Sequence, residues 1–178
     1  HPSQCASYVD AQLKQDAEVN MAGRVVVNPV TRMATITVEA YYTANSAKST
    51  NYLTIMMMQD SIIGSQSGAS SNPSQVIGSS YCHMHTLRDI ITATWGDVVS
   101  PTTAGTLITK QYVYEIPEVI GSPNGVEVDI NNIHFLAFIT EKKNGTPTEP
   151  ILNVCELDQI EGTDESIYPF IKTFAQED

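Results

Sequence analysis

The chain has 178 residues, of which 42% are hydrophobic and only 16% are charged, and its formal net charge is −11. A chain of this length fits one domain with a buried hydrophobic core. The negative charge repels nucleic-acid phosphates, so we predict no nucleic-acid binding. No run of 18 apolar residues occurs, and we predict no membrane span.

The first 18 residues are predicted to be a helical lead-in or linker. Their apolar residues have weak helical spacing and are Ala6, Val9, Ala11 and Leu13. We assign residues 19–160 to a β-sandwich and residues 161–178 to an acidic C-terminal tail. No apolar leader segment is recognisable at the start, so we expect a mature form or an excised domain.

From Val19 onward the apolar residues recur at every second position, which is typical of half-buried antiparallel strands. Residues 33–43 show this most clearly. The side chains expected inside are Ala34, Ile36, Val38, Ala40 and Tyr42. The side chains expected to point outward are Thr35, Thr37, Glu39, Tyr41 and Thr43.

About seven strands follow from these patterns and from the polar turns between them. The predicted strands are 19–27, 33–43, 52–60, 82–95, 107–116, 133–140 and 151–157. Residues 52–60 are apolar on both faces, so we expect a central strand covered on both sides. The fold class predicted is all-β, an antiparallel β-sandwich that is immunoglobulin-like or jelly-roll-like, with a short N-terminal helix.

Three cysteines, Cys5, Cys82 and Cys155, allow at most one internal disulfide. Cys82 and Cys155 are the first pair to test, because both lie in the predicted β region. Three free thiols agree equally well with the spacing. No Cys-x-x-Cys motif occurs, so neither a zinc ribbon nor a thioredoxin motif is predicted.

His83 and His85 are candidate binding residues because they lie two apart in a predicted strand and would share one face. Two such imidazoles can share a metal ion when a third ligand comes from a neighbouring strand. The sequence identifies no third ligand. We therefore predict no metal site and interpret both side chains as surface or hydrogen-bonded histidines.

Arg88 and Trp95 complete the set of candidate binding residues. Arg88 could pair with a carboxylate across the sheet. Trp95 is the sole tryptophan and is predicted to lie in the core, with an aromatic platform for a sugar as the alternative.

Catalytic motifs are missing from the sequence. No Gly-x-Ser-x-Gly nucleophile elbow occurs. A thiol enzyme would need Cys82 or Cys155 beside His85 or His134, and the apolar strand around Cys155 favours an inert, buried thiol. We predict no catalytic residues, no enzymatic activity and no cofactor.

Carboxylates and amides offer two further alternatives. Paired acids for sugar hydrolysis would have to come from Glu39, Asp60, Asp89, Asp97 and Glu115. Asp129, Asn131 and Asn132 have the oxygen chemistry of a calcium site without the spacing of an EF-hand. Turn formation explains these three residues, and we favour it.

Several segments resemble a known family when they are taken in order. They include ATITVEAYYT at 34–43, YCHMHTLRDIITATWGD at 81–97 and IHFLAFITEKKNGTPTEPILNVCELD at 133–158. Together they are similar to the twenty-eight-kilodalton outer-membrane lipoprotein family of Bacteroidetes-type bacteria, over roughly Glu18 to Asp158. An adhesive role is proposed for that family, and it supplies no agreed catalytic residues.

The resemblance implies a lipid-anchored protein at the outer membrane or cell surface, with this extracytoplasmic sandwich at its C-terminal side. For many relatives it also implies a thioredoxin-like region upstream. No apolar segment precedes Cys5, so we expect the lipidated cysteine to belong to the parent protein rather than to this chain.

The function predicted is therefore a noncatalytic binding or structural domain of a surface lipoprotein, with a host or envelope protein or a glycan as partner. The alternative is a metal- or calcium-assisted hydrolase or a redox accessory domain whose chemistry lies partly upstream. The oligomeric state stays open.

Overall fold

Alternating apolar residues form β-strands through most of the chain in the computed structural model, which describes residues 5–141 and 150–162. One helix, α1, spans Cys5–Gln12 and precedes the strands. The strands in chain order are β1 Val19–Val27, β2 Met33–Tyr42, β3 Asn51–Gln59, β4 Ile62–Gly64, β5 Val76–Ile77, β6 Ser80–His83, β7 Thr86–Ile90, β8 Asp97–Val99, β9 Leu107–Glu115, β10 Val119–Ile120, β11 Val126–Glu127, β12 Ile133–Thr140, β13 Ile151–Glu156 and β14 Asp158–Glu161.

Two sheets carry most of the fold. The four-stranded sheet has the order β14-β1-β2-β9, and the five-stranded sheet has the order β13-β12-β3-β7, with β8 also paired to β3. All pairs are antiparallel except β1 with β14. Two smaller sheets, β10-β11 and β4-β6-β5, lie in the connections. The predicted all-β sandwich with a short N-terminal helix is confirmed.

The core lies between the facing sides of the two main sheets. The five side chains predicted to be inside on β2 are all buried, with at most 4% of their surface exposed. They belong to one cluster with alternate residues of β3 and β12, namely Leu53, Ile55, Met57, Phe135, Ala137 and Ile139. The period-two prediction is therefore confirmed on β2, and alternate residues of β3 and β12 complete the same layer. Burial of this continuous layer supplies the main stabilising term.

Two residues predicted to look outward from β2 are nevertheless buried. Thr37 is 4% exposed and Glu39 is 1% exposed. Both point away from the core, but β2 is hydrogen-bonded on both sides, so neighbours in register flank them. Arg24 and Gln111 lie opposite Thr37, for example. The period of two predicts which side of the sheet a side chain points to. In a central strand, the flanking side chains decide how much of it is exposed to solvent.

Tyrosines of β9 join the two sheets. The Tyr112 hydroxyl donates to Asp97 Oδ2 over 3.0 Å, and the Tyr114 hydroxyl donates to Asp89 Oδ2 over 2.6 Å. Burial, together with the neighbouring carboxylate, raises the pKa of each tyrosine. Asp89 and Asp97, two of the candidate acids for sugar hydrolysis, thus have a structural role as hydrogen-bond acceptors between the sheets.

The single strand predicted over 82–95 is wrong, because the segment forms β6 and β7 in different sheets and then a turn. His85 separates the two strands with a left-handed backbone, φ 53°. A second left-handed residue, Gly96 with φ 81°, ends the turn Ala93–Gly96 just before β8, and a Cβ there would approach Tyr52 Cβ to 2.9 Å. The chain therefore changes sheet within a stretch whose apolar pattern looks continuous.

Cys82 and Cys155 are free, so the disulfide that the sequence suggested testing first is not formed. The reason is topological, since β6 belongs to the small three-stranded sheet and β13 is at the edge of the five-stranded sheet. Of the predicted acidic tail, Glu161 ends β14 and residues 163–178 lie outside the described part. No described helix is long and apolar enough to cross a bilayer.

Candidate functional site

The outer side of the five-stranded sheet carries apolar side chains where a polar surface would be usual. They alternate with the core residues and lie side by side in register across four strands. We call this surface the apolar face; it consists of Met56, Met58, Leu87, Ile90, Leu136, Phe138 and Val154. All seven are half-buried or exposed. The prediction that β3 is covered on both sides is therefore wrong at Met56 and Met58, although outward Thr54 is buried and β3 is central in its sheet.

Trp95 lies at the margin of the apolar face and is 68% exposed. Its predicted place in the core is therefore wrong. The turn at Gly96 ends the β7 segment and leaves the indole on the outer side. There it lines a shallow cavity of about 180 Å³ together with Thr54, Met56, Ile90, Thr94, Phe138 and Thr140.

Three potential metal ligands meet at one end of the apolar face. Asp60 follows β3, His134 lies on β12 opposite Met58, and His85 links β6 to β7. We call them the His-Asp cluster. His85 Nδ1 lies 3.1 Å from Asp60 Oδ1 and 3.4 Å from His134 Nε2. One ligand atom from each residue lies within 4.8 Å of the others.

Two of the four predicted binding residues lie elsewhere. His83 is on β6, where its ring contacts Tyr81 edge to face. Arg88 donates from Nη2 to the carbonyl of Val126 over 2.7 Å rather than to a carboxylate. The structure therefore separates His83 from His85 and leaves Arg88 in a structural role that holds β7 to β11.

Neither Cys82 nor Cys155 forms a thiol–imidazole pair with a histidine of the described residues. Cys82 Sγ lies 3.9 Å from Met84 Sδ, and both candidate histidines belong to the His-Asp cluster. Cys155 packs against the core. Burial, together with the Asp158 carboxylate, raises the pKa of the Cys155 thiol to about 11, so it is a poor nucleophile at neutral pH.

The stretch considered for calcium forms a turn, as we favoured. Asp129 caps the 3₁₀ turn Ile130–Asn132 by accepting from the Asn131 backbone over 3.0 Å. Asn132 Nδ2 donates to its second oxygen over 2.7 Å. These hydrogen bonds lower the pKa of Asp129, with a further contribution from Arg32. Both carboxylate oxygens already have partners within the turn.

Sequence reasoning did not find the His-Asp cluster. From sequence, Asp60 is a candidate acid for sugar hydrolysis and His134 a candidate base for a thiol enzyme. The missing information was the register between β3 and β12, which places His134 beside the end of β3. The end of β6 at His83 is also needed, because it separates His83 from His85 and frees His85 to approach Asp60 and His134.

Comparison with protein families gives one match that spans most of the chain. The profile of the family described as outer membrane protein Omp28 matches residues 2–158. The chain belongs to the Omp28 family. The predicted family and the predicted outer-membrane, extracytoplasmic location are thereby confirmed. Omp28 is not a known enzyme family, and the chain is a surface protein domain.

Solved structures share the fold of this Omp28 domain at low sequence identity. A domain of the outer membrane lipoprotein Omp28 from Porphyromonas gingivalis aligns with a TM-score of 0.51 and 13% identity, over 84% of this chain and 93% of that domain. HBP35 of Porphyromonas gingivalis aligns with a TM-score of 0.63 and 15% identity, over 93% of this chain. The alignment spans 50% of HBP35. Comparison with curated proteins gives no match.

Proposed function

We propose that this Omp28 domain is a noncatalytic binding module of a lipid-anchored surface protein, and that its apolar face binds another protein. The observation that carries the proposal is the apolar face itself. An apolar surface of this extent, bordered by an exposed tryptophan, is characteristic of protein interaction sites.

The charge distribution supports a contact surface that excludes water. The chain has 20 acidic residues, yet the outward side chains of β3 and β12 include no carboxylate, and the acidic side chain beside Leu136 is Glu156 on the edge strand β13. Those on β3 are Tyr52, Thr54, Met56 and Met58. The centre of a protein interface is usually poor in charge and rich in aromatic residues and methionine, and this face has that composition.

A protein partner fits the Trp95 cavity better than a sugar does. The side chains that line the cavity offer few polar groups, namely three threonine hydroxyls and the indole N–H of Trp95, beside aromatic and aliphatic surface. A sugar has many hydroxyls, and each one that is desolvated without a partner is unfavourable. An apolar side chain of a partner protein requires no such partners.

The role as a noncatalytic module draws support from the candidate acids and thiols. Asp89 and Asp97 accept hydrogen bonds from tyrosines, Asp129 caps a turn, and Cys155 packs against the core. The lipid anchor is proposed by analogy with the Porphyromonas gingivalis protein, whose name describes it as an outer membrane lipoprotein.

Site-specific photocross-linking in the intact bacterial envelope tests this proposal. A photoreactive side chain is placed at Phe138 on the apolar face, and a matched one at Val113, which is 68% exposed on the opposite sheet. We expect one protein to be cross-linked from position 138 and not from position 113. Mass spectrometry then identifies that protein.

Titration with the purified partner completes the test, because Trp95 is the sole tryptophan and its fluorescence reports the occupancy of the cavity. We expect the emission to shift to shorter wavelength on binding. Trp95→Ala, followed by calorimetry, should weaken binding at least about tenfold, and Val113→Ala should leave it unchanged. Equal cross-linking from both positions, or Trp95-dependent binding to a glycan array instead of a protein, would refute the proposed role of the face.

A further inference from the structure

We propose that the His-Asp cluster of Asp60, His85 and His134 is a binding site for a divalent first-row transition-metal ion, with Zn²⁺ as the reference ion. Two imidazole nitrogens and one carboxylate oxygen form a donor set that suits zinc, copper or nickel. Mg²⁺ and Ca²⁺ prefer oxygen ligands throughout, so this set discriminates against them.

The separations between the ligand atoms agree with a tetrahedral ion. Zinc lies about 2.0–2.1 Å from its nitrogen ligands, which places neighbouring ligand atoms about 3.3 Å apart around a tetrahedron. The two separations measured from His85 Nδ1 are 3.1 Å to Asp60 Oδ1 and 3.4 Å to His134 Nε2. Two of the three edges of one face of a coordination tetrahedron thus already have the required length, and the third, between Asp60 and His134, is within 4.8 Å.

A shared cation would contact more of these groups than one hydrogen bond does. His85 Nδ1 is within hydrogen-bonding reach of His134 Nε2 at 3.4 Å, and Asp60 Oδ1 lies 3.1 Å from the same nitrogen at the distance of an ion pair. A cation between the three atoms interacts favourably with all of them.

The backbone holds the three ligands independently of any ion. The Asp60 amide donates to the carbonyl of Asn132 over 2.9 Å, and the His85 amide donates to Asp60 Oδ1 over 2.5 Å. His134 is fixed by its place in β12. His85 adopts the left-handed conformation, which is unfavourable for a residue with a side chain and is concentrated at functional sites.

The site would leave one coordination position open to solvent. The His85 side chain is 69% exposed, and three protein ligands complete only three corners of a tetrahedron. Water or a side chain from another molecule would take the fourth position. Because its ligands come from the end of β3, the β6–β7 link and β12, a bound ion would tie the small β4-β6-β5 sheet to the five-stranded sheet.

Zn²⁺ titration of untagged, chelator-treated protein tests the site directly. The chain has four histidines, so all proteins carry His1→Ala to remove the N-terminal imidazole. Competition with a chromophoric chelator should give one Zn²⁺ per chain. Asp60→Asn, His85→Ala and His134→Ala should each weaken the affinity at least about tenfold. Asp60→Asn keeps an oxygen that can accept the His85 amide, so it removes the charge with little change in structure.

His83→Ala is the matched control, because His83 is next to the cluster in sequence but lies on β6 against Tyr81. We expect it to retain the affinity of the parent within about twofold. Co²⁺ gives a second readout, since tetrahedral Co²⁺ absorbs visible light much more strongly than octahedral Co²⁺. Circular dichroism in metal-free buffer checks that every variant folds.

The proposal is overturned if Zn²⁺ binds the three cluster variants as tightly as the parent, or if His83→Ala loses as much affinity as His85→Ala. A melting temperature that does not rise with Zn²⁺ in the parent, at concentrations far above the measured dissociation constant, would also contradict it, because a ligand of the folded state stabilises that state.

Discussion

The outer faces of the two main sheets differ in composition and in burial. On the four-stranded sheet the outward residues of β2 include Thr35, Thr37 and Glu39, and two of these are almost fully buried. On the five-stranded sheet the outward residues of β3 and β12 include Met56 and Phe138, which keep contact with solvent. Outward polar side chains are covered on both sheets, since Thr54 and Thr140 are also only 6% exposed, whereas the outward apolar side chains of the five-stranded sheet are left partly uncovered.

This difference teaches that side-chain alternation and solvent contact are separate properties. Alternation fixes which side of the sheet a residue points to. Coverage depends on neighbouring strands and on whatever packs over the sheet. Apolar surface left in water forgoes about 25 cal/mol of stabilisation per Å². A face that forgoes this stabilisation is one that a partner can later cover.

The largest expected effect contrasts the two sides of β12. Phe135 is fully buried between the sheets, and Phe138 is half-buried on the apolar face. Phe135→Ala should destabilise the fold by about 3–5 kcal/mol, because it removes a core side chain and leaves a cavity. Phe138→Ala should cost about 1 kcal/mol.

Urea unfolding followed by circular dichroism measures both variants, since the exposed Trp95 is a poor reporter of the core. Val113→Ala on the opposite outer face serves as the control and should be nearly neutral. Equal losses at positions 135 and 138 would mean that the apolar face is as covered as the core, and the contrast between the faces would fail.

A smaller effect is expected where the two sheets meet at Gly23 on β1. A Cβ there would lie 2.6 Å from Leu157 Cδ2 and 2.8 Å from the carbonyl oxygen of Thr37. Leu157 is buried and connects β13 to β14, so it fills the space beside the glycine. Gly23→Ala should therefore destabilise the domain by about 1–3 kcal/mol through overpacking.

Gly64→Ala is the matched control for Gly23, since its added Cβ would meet only the His83 ring at 3.4 Å. Its effect should stay within about 0.5 kcal/mol. Thermal unfolding of the two variants under one buffer condition compares them. A Gly23→Ala variant as stable as Gly64→Ala would show that the inner side of the four-stranded sheet has more room than the packing around Leu157 indicates.

The sequence predicts the inner layer of the fold well. Alternation at 34–42 and the apolar runs at 52–60 and 133–140 identify β2, β3 and β12 to within about a residue. This success has a physical cause, because a side chain buried between two sheets must be apolar wherever the strand lies. A period of two cannot be recognised in the shortest strands, which have two or three residues each: β4, β5, β8, β10 and β11. The strand β14 is also not predicted, because it crosses the predicted boundary at residue 160 between the sandwich and the acidic tail.

The candidate site could be predicted only in part. His85 was identified, but Asp60 and His134 lie 25 and 49 residues away from it in sequence. They meet because of the β3–β12 register and the left-handed turn at His85. Neither the register nor the turn can be recognised from the local sequence. The positive φ, for example, occurs at a histidine instead of a glycine. The exposure of Trp95 is likewise set by the turn Ala93–Gly96, in which it lies, whereas its hydrophobicity alone predicts a place in the core.

The smallest expected effect concerns the reactivity of one thiol, that of Cys155 on the inner side of β13. It compares the inner and outer sides of that strand. Cys155 lies opposite Ala137 of the core, whereas its neighbour Val154 lies on the apolar face. Burial and the Asp158 carboxylate raise the pKa of Cys155 to about 11. At pH 8 only about one thiol in a thousand is then ionised, compared with about a quarter for an ordinary cysteine.

Alkylation with iodoacetamide at pH 8, followed by peptide mass spectrometry, measures this difference. Cys155 should react on the order of 100-fold more slowly in the folded domain than in urea, because burial and the Asp158 carboxylate raise its pKa. The raised pKa also fixes the sign of a pH effect. Between about pH 8.5 and pH 11 the unfolded chain releases the Cys155 proton while the folded chain retains it, so stability falls as the pH rises. Cys155→Ala should reduce that fall. Rapid alkylation of Cys155 in the folded protein would place this side chain on the solvent side of β13 and would reverse the assignment of inner and outer faces along that edge strand.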